Sequence, residues 1–128
     1  MAISMMSNVY VCVKDLDIAI KFWESFFKKK IRARYKTRWA DFDDGKTVTL
    51  GIYRPAFDNL NYKKGDNVII GFYTDDIKKE RARVKKLKPK SISKIEYVNF
   101  MHPYHYFMFE DPDGNKVEVA EWDKSNEK

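Results

Sequence analysis

The first half of the chain begins with a strand-like run that leads into a helix-like one. Val9-Tyr10-Val11-Cys12-Val13 is rich in β-branched and aromatic residues, which is typical of a short strand. Asp15 follows at a position suited to capping the N-terminus of a helix. Apolar residues then recur at helical spacing and form one stripe: Ala19, Phe22, Trp23, Phe26 and Phe27. The pattern therefore predicts a strand followed by an amphipathic helix.

The second half repeats this order. Val68 to Tyr73 is another β run, Asp75-Asp76-Ile77 is another capping sequence, and Lys78 to Leu87 is another helical segment. When Asp15 is aligned with Asp76, Asn8 is matched with Ile69. Repetition of this kind predicts two copies of one supersecondary unit.

Each predicted helix is followed by three further strand-like segments. The predicted strands are about Ile31–Lys36, Arg38–Phe42 and Thr47–Tyr53 in the first half, and about Ser93–Val98, Tyr104–Glu110 and Lys116–Glu121 in the second. Each half is thus a strand, a helix and three strands. The stretch 54–65, which contains Pro55 and Gly65, is predicted to link the two halves.

A tight turn precedes the last strand of each half. Asp113-Gly114 is a hairpin signal, because glycine tolerates a positive φ and aspartate can bond its own backbone. The strand after this turn carries the carboxylate of Glu118, which alternation aims inward. Asp43-Asp44-Gly45 is a weaker copy of the turn, and counting from it matches Glu118 with Thr49.

The composition fits one domain with an excess of aromatic rings. A chain of 128 residues with 44% hydrophobic content can bury one core but not two independent ones. Aromatic residues make up 16% of the chain, which is more than a core of this size usually needs. Some of the rings are therefore expected to line a cavity or an interface.

Cysteine content, charge and hydropathy limit the expected cellular location and the expected partners of the protein. The single cysteine, Cys12, cannot form an intrachain disulfide and fits a reducing compartment. Neither a signal-peptide pattern nor an apolar stretch of transmembrane length is visible, so we expect a cytoplasmic protein without a membrane partner. The net charge of +6 comes mainly from the segment Lys78 to Lys88, which is typical of a solvated helix face. No nucleic-acid partner is predicted.

The order and spacing of these segments resemble the vicinal oxygen chelate superfamily, which includes glyoxalase I, bleomycin-resistance proteins, fosfomycin-resistance enzymes and extradiol dioxygenases. The resemblance runs from about Val9 to Ala120. It rests on Val13-Lys14-Asp15-Leu16, Ala19, Phe22-Trp23, Ala40-Asp41-Phe42, Asp75-Asp76-Ile77 and Tyr106 to Val119.

The resemblance implies an α+β fold in which two βαβββ modules form an open, incomplete barrel around a cavity. It implies a single glyoxalase/bleomycin-resistance-like domain over residues 1–128, with modules at about 5–55 and 66–122 and a linker at about 54–65. It also implies a homodimer, since many small members of the superfamily are homodimers.

Enzymes of this superfamily hold a divalent metal with side chains from four strands, and the resemblance carries those positions to Asn8, Thr49, Ile69 and Glu118. Of these four residues only Glu118 is a strong ligand, because isoleucine has no donor atom and neutral amide and hydroxyl oxygens bind such cations weakly. His102 and His105 flank Pro103, and two-residue spacing could place both on one strand face, but neither occupies a superfamily ligand position. No metal, cofactor or catalytic residue is therefore predicted.

Strand alternation gives an expected lining for the cavity. The predicted ligand-binding residues are Tyr10, Trp39, Asp41, Thr49, Tyr53, Tyr73, Tyr104, Tyr106, Met108 and Glu118. Aromatic rings around a few polar groups are typical of a small-molecule site. The competing interpretation is that these side chains meet, fill the barrel and bond their hydroxyl groups internally.

Three functions follow from this interpretation. The first is metal-independent binding of a small molecule, as in bleomycin-resistance proteins, where the ligand is sequestered and no chemistry occurs. The second is a divalent-metal-dependent lyase, thiol transferase or dioxygenase, which requires ligands beyond Glu118. The third is a protein that keeps the fold and acts through partners.

Overall fold

The computed structural model describes residues 3, 6–43, 46–63, 65, 67–99 and 101–123. The chain divides into two compact units, which comprise residues 1–63 and 64–128. Each unit has the predicted order of a strand, a helix and further strands, and the fold class is α+β as expected. In the part of the chain that the structure describes, no helix is long and apolar enough to cross a membrane.

The first unit contains one helix and a four-stranded sheet. Its elements are β1 (Asn8–Cys12), α1 (Leu16–Phe27), β2 (Ala33–Tyr35), β3 (Trp39–Asp41), β4 (Thr49–Tyr53) and a short 3₁₀ helix (Pro55–Asp58). The strand order is β1-β4-β3-β2, with β1 and β4 parallel and the other pairs antiparallel. The predicted linker therefore begins with helical structure.

The helix α1 forms as the apolar stripe predicts. Asp15 caps it by accepting a hydrogen bond of 3.0 Å from Ile18 N. Trp23 is fully buried, and its ring contacts those of Phe22, Phe26 and Phe27. This aromatic cluster fixes α1 against the sheet, since the ring of Phe27 also lies 4.9 Å from that of Phe42.

The second unit contains one helix and a five-stranded sheet. Its elements are β5 (Ile70–Tyr73), α2 (Ile77–Lys86), β6 (Ser91–Ile92), β7 (Glu96–Val98), β8 (Tyr104–Glu110) and β9 (Lys116–Trp122). The strand order is β5-β9-β8-β6, and β7 also pairs with β8; β5 and β9 are parallel.

The helix α2 buries less of its surface than α1 does. Only Ile77 and Val84 of α2 are buried, so its many cations face outward as predicted. Its N-terminus is capped by Asp76, which accepts from Lys79 N at 3.2 Å. Glu121 of β9 accepts a second bond, of 2.8 Å, from Ile77 N and so ties the helix to the sheet.

The predicted strand Ser93–Val98 is a strand only over Glu96–Val98 (β7), and a further strand, β6, precedes it at Ser91–Ile92. Ile92 lies opposite Phe109 and Glu96 lies opposite Tyr106, so three residues of this segment face two residues of β8. One extra residue in one strand is a β-bulge, and it separates β6 from β7. The side chain of Ser93 bridges the interruption by accepting a hydrogen bond of 2.8 Å from Met108 N.

The turn between β8 and β9 is held together by a buried carboxylate. Asp111 is 0% exposed and accepts from Asp113 N at 2.9 Å, Asn115 N at 2.8 Å and Asn115 Nδ2 at 2.9 Å. Gly114 has a φ of 85°, as the hairpin signal predicts. The weaker copy of this turn includes Asp44 and Gly45, which lie outside the described residues.

Candidate functional site

The two units can be compared strand by strand, because an equivalent hydrogen bond extends each parallel pair. Val13 N donates to Tyr53 O and Thr74 N donates to Ala120 O, both at 2.9 Å. Each donor precedes its helix-capping aspartate by two residues. Tyr53 and Ala120 are therefore equivalent positions. Glu118 lies two residues before Ala120, so its equivalent is Gly51, two residues before Tyr53. The sequence-based match with Thr49 is wrong by two residues, because it counts from the turn signal and the pairing of the strands places Gly51 there.

A groove lies on one face of the second unit. It has a volume of ≈ 270 Å³. Its lining residues are Gly71, Phe72, Tyr73, Tyr104, Glu118, Ala120 and Trp122. Alternation explains the set, since Glu118, Ala120 and Trp122 are every second residue of β9 and share one side of the sheet.

The walls of the groove are aromatic and partly exposed. Trp122 stacks on Tyr73, with ring centroids 5.4 Å apart and an angle of 27°, and meets Tyr104 edge-on at 6.0 Å. Tyr73 is 71% exposed and Trp122 is 42% exposed. These ring surfaces are therefore accessible for stacking with a ligand.

Glu118 supplies the charge of the groove. A Cβ atom placed on Gly71 would lie 3.6 Å from Glu118 Oε2, so the carboxylate lies over the glycine. Among the described residues, none makes a hydrogen bond or ion pair with the carboxylate of Glu118. A half-buried carboxylate beside aromatic rings and without a partner is suited to a ligand that carries a positive or N–H group.

The first unit has a filled surface where the second has a groove. The indole of Trp39 lies over Gly51, where an added Cβ would fall 2.6 Å from Trp39 Cζ2. The ring meets Tyr10 edge-on at 5.5 Å, and Tyr10 meets Tyr53 at 5.8 Å. Trp39 Nε1 donates a 2.8 Å hydrogen bond to Asp41 Oδ2. These residues therefore fit the competing interpretation from the sequence, in which the predicted lining side chains pack on one another.

The charge of Asp41 is already paired. Arg32 donates to both of its oxygens, at 3.1 and 3.2 Å, and Asp43 N donates at 3.1 Å. Burial of Asp41 raises its pKa, but the hydrogen bonds from Trp39, Asp43 N and Arg32 together outweigh burial and hold the pKa below its ordinary value. Of the two carboxylates predicted to anchor a ligand, only Glu118 lacks a protein partner within the described ranges.

Tyr53 is also engaged within its own unit. Its hydroxyl donates a 2.6 Å hydrogen bond to Asp58 Oδ2, which also accepts from Arg38 Nε at 2.8 Å. The bond to Asp58 is the main reason that the pKa of Tyr53 is raised to about 12. The hydroxyl of Tyr53 therefore ties β4 to the 3₁₀ helix.

We expect the phenol of Tyr53 to lose its proton at a higher pH than an ordinary tyrosine does. Because its folded pKa is about 12 against 10.0 for a free phenol, its stabilising contribution is complete below pH 10 and is lost as the pH rises through about 12. NMR of ¹³C-labelled tyrosine, assigned with Tyr53→Phe, measures the titration. Asp58→Asn should return the pKa toward 10.0; an unchanged titration in that variant would show that Asp58 is not the cause.

The residues at the superfamily metal positions do not fit a catalytic divalent cation. In the first unit the residue equivalent to Glu118 is Gly51, which has no side chain to bind a metal, and neither Asn8 nor Thr49, which lie opposite each other in β1 and β4, has an ionisable donor. In the second unit Glu118 lies opposite Gly71, and Ile69 has no donor. Three or more His, Cys, Asp or Glu side chains are nowhere grouped for metal binding in the described part of the chain.

The two histidines contact different rings. His102 lies edge-on to Trp122 at 6.0 Å, whereas the ring of His105 lies 4.7 Å from that of Tyr97. Cys12 is not in a disulfide, and burial raises the pKa of its thiol, the opposite of what activates a thiolate nucleophile. Neither feature adds a catalytic group to the groove.

The structure divides the predicted ligand-binding residues into two groups. In the first unit Tyr10, Trp39, Asp41 and Tyr53 contact one another, and Thr49 lies opposite Asn8. In the second unit Tyr73, Tyr104 and Glu118 line the groove, Tyr106 contacts Tyr104, and Met108 lies opposite Glu118. Gly71 and Trp122 also line the groove but do not belong to the predicted set, although the alternation of Glu118, Ala120 and Trp122 points to the tryptophan.

These features belong to a known fold. The chain belongs to the Glyoxalase/Bleomycin resistance protein/Dioxygenase superfamily, whose family model matches residues 5–119. The resemblance inferred from the sequence is therefore confirmed.

Individual relatives are distant. The chain is 26% identical over 115 residues to the uncharacterized protein YwbC of Bacillus subtilis (strain 168), a match covering 84% of this chain and 90% of YwbC. A glyoxalase/bleomycin resistance protein from Albidiferax ferrireducens T118 has a similar structure, with a TM-score of 0.73, 20% identity and coverage of 92% and 99% of the two chains. A lactoylglutathione lyase from Agrobacterium tumefaciens gives a TM-score of 0.66, 20% identity and coverage of 94% and 96%. At these identities the similar structures support the fold alone.

Proposed function

We propose that this chain binds a small molecule in the groove of the second unit, without a metal, and that the ligand carries a flat ring and a positively charged group. The observation that carries the proposal is the carboxylate of Glu118, which lies over Gly71 beside the exposed rings of Tyr73 and Trp122 and has no partner among the described residues. A cation would neutralise this charge, and the rings would stack on the flat part of the ligand.

The expected energies are sufficient for specific binding. A charge-assisted hydrogen bond to Glu118 contributes about 1.5–3 kcal/mol, and each ring that stacks on a cationic ligand adds about 0.5–2 kcal/mol. The volume of ≈ 270 Å³ lies just below the usual range for ligand pockets, so a compact ligand of one or two rings fits it best. The net charge of +6 repels cations at long range, which makes recognition depend on these short contacts.

Sequestration explains the residues of the groove better than catalysis does. Glu118 is the one ionisable carboxylate in its lining, and the remaining lining residues are glycine, alanine and aromatic residues. A metal-dependent lyase, thiol transferase or dioxygenase would need strong ligands at the positions that match Glu118 in the other three strands, but Ile69 and Gly51 have no donor atom and Asn8 has only a neutral amide. The homodimer implied by the superfamily stays a prediction.

We expect Glu118→Gln to weaken the binding of aromatic cations by about tenfold to a hundredfold, because the variant loses the charge but keeps the shape of the side chain. The test uses benzylamine, benzamidine and 2-aminobenzimidazole in calorimetric titrations, with tryptophan fluorescence as a second signal from Trp122. Wild-type protein should bind at least one of them.

Glu96→Gln is the matched control, because Glu96 is a carboxylate of the same unit that pairs with Lys94 outside the groove. It should leave the affinity unchanged. Failure of all three cations to bind the wild type, or equal losses in both variants, would refute the proposal.

A further inference from the structure

The neighbours of Glu118 on its face of the sheet offer no second acceptor for a cation. Gly71 lies directly opposite Glu118 on β5 and Met108 directly opposite it on β8, and residues paired in this way share one face. Along β9 the nearest residues on that face are Ala120 and Lys116, two positions away on either side. None of these four neighbours has a side-chain oxygen, and lysine has only donors. On this part of the described sheet, Glu118 is therefore the one carboxylate that a bound cation meets.

The number of acceptors limits the number of N–H groups that the cation can satisfy. The other side-chain oxygens in the lining of the groove are the phenol hydroxyls of Tyr73 and Tyr104. These two residues lie opposite Ala120 and Trp122, further along the face than Glu118. A primary ammonium group has three N–H donors, and each donor that leaves water without finding an acceptor costs free energy. A tertiary ammonium group has one N–H donor, which a single carboxylate satisfies.

The aromatic walls of the groove suit the methyl groups of such a cation. The rings of Trp122 and Tyr104 are 6.0 Å apart and meet at 75°, so they form two sides of a corner. Tyr73 extends this corner by stacking on Trp122, and Ala120 adds a methyl group to the lining. Methylated ammonium groups are bound by aromatic faces, because the charge is attracted to the ring while the methyl groups contact it.

We infer that the ligand is an aryl-substituted tertiary amine in its protonated form, whose one N–H donates to Glu118 and whose N-methyl groups lie in the corner between Trp122 and Tyr104. This inference rests on the proposed function and specifies the chemical class of its cation. Gly71 keeps the approach to the carboxylate open, because a side chain there would begin 3.6 Å from Glu118 Oε2. The flat ring of the ligand stacks on Tyr73, which is 71% exposed.

The test compares four benzyl-substituted ammonium ions, each with one positive charge at pH 7, by calorimetric titration of the full chain. Affinity should rise by about tenfold in all from benzylamine through N-methylbenzylamine to N,N-dimethylbenzylamine, because each step exchanges an N–H without an acceptor for a methyl group. It should fall by about fivefold for benzyltrimethylammonium, which has no N–H to donate. In Glu118→Ala the dimethyl and trimethyl compounds should bind equally. Any other order of affinities in the wild type would overturn the inference.

Trp122→Leu provides a second test, which concerns the methyl groups. Loss of the indole should reduce the advantage of N,N-dimethylbenzylamine over benzylamine from about tenfold to less than about threefold. Tyr97→Leu is the matched control, because Tyr97 is a half-exposed aromatic residue of the same unit that does not line the groove, and it should keep the wild-type ratio. An unchanged ratio in a Trp122→Leu variant with the circular dichroism of the wild type would contradict the assigned position of the methyl groups.

The same titrations distinguish the two proposals. If the benzyl cations bind with dependence on Glu118 but without a preference for the dimethyl compound, the proposed function stands and only the tertiary-amine class falls. If no cation of either series binds the wild type, the proposed function itself is refuted.

Discussion

Gly51→Ala is expected to lower the free energy of unfolding by about 3 kcal/mol, because the added methyl group overlaps a packed ring. The new Cβ would lie 2.6 Å from Trp39 Cζ2 and 3.0 Å from Tyr10 Cβ. The indole cannot withdraw without losing its hydrogen bond to Asp41. Gly51 does not have a positive φ, so the glycine is required here for space and not for backbone conformation.

Gly71→Ala is the matched control. Gly71 is also a strand glycine that faces a carboxylate, but its added Cβ would meet only Glu118 Oε2, at an ordinary 3.6 Å. We expect its unfolding free energy to stay within about 1 kcal/mol of the wild type. Urea denaturation followed by circular dichroism measures both variants. If Gly51→Ala were as stable as Gly71→Ala, the close packing of Trp39 on Gly51 would be incorrect.

Asp111→Ala is expected to cost about 3 kcal/mol, because it leaves three N–H groups of the β8–β9 turn without their acceptor. Asp111→Asn should cost less, since its amide oxygen can still accept from Asp113 N and Asn115 N while its NH₂ group opposes Asn115 Nδ2. Thermal and urea denaturation should therefore rank the wild type first, Asp111→Asn second and Asp111→Ala last. The reverse order of the two variants would show that packing and not hydrogen bonding holds the turn.

The contribution of Asp111 to the free energy of unfolding is expected to fall as the pH rises. Burial raises the pKa of Asp111 above 3.8, and the hydrogen bonds from Asn115 and Asp113 only partly offset it. A raised folded pKa means that the contribution is complete below pH 3.8 and is lost as the pH rises through the folded pKa. The stability difference between wild type and Asp111→Ala should shrink over that interval. A difference that grows with pH would indicate a lowered pKa.

Local sequence signals predict most of the fold because they act over short distances. Asp15 and Asp76 cap the two helices as expected, and Ala19, Phe22 and Trp23 of the predicted apolar stripe are buried. The bulge between β6 and β7 is not predicted, since it depends on how three residues of one strand meet two of its neighbour. The pairing between two strands cannot be predicted from the local sequence of one of them.

The sequence predicts the site only in part. Alternation correctly brings Tyr73, Tyr104 and Glu118 to one groove. It cannot reveal that Asp41 is bonded by Arg32, or that Trp39 lies over Gly51, because those contacts join different strands and loops. The register error that matches Glu118 with Thr49 has the same origin: the sequence offers only a count from the turn, whereas hydrogen bonds determine the match.

The indole over Gly51 also constrains the order in which this chain could have diverged. While Trp39 keeps this place, any side chain larger than glycine at position 51 would have to displace the indole, so the two positions are expected to vary together. A lineage acquiring a carboxylate at 51, at the place equivalent to Glu118, would first have to lose the tryptophan. Among homologues, we expect residues larger than glycine at 51 only where 39 is small.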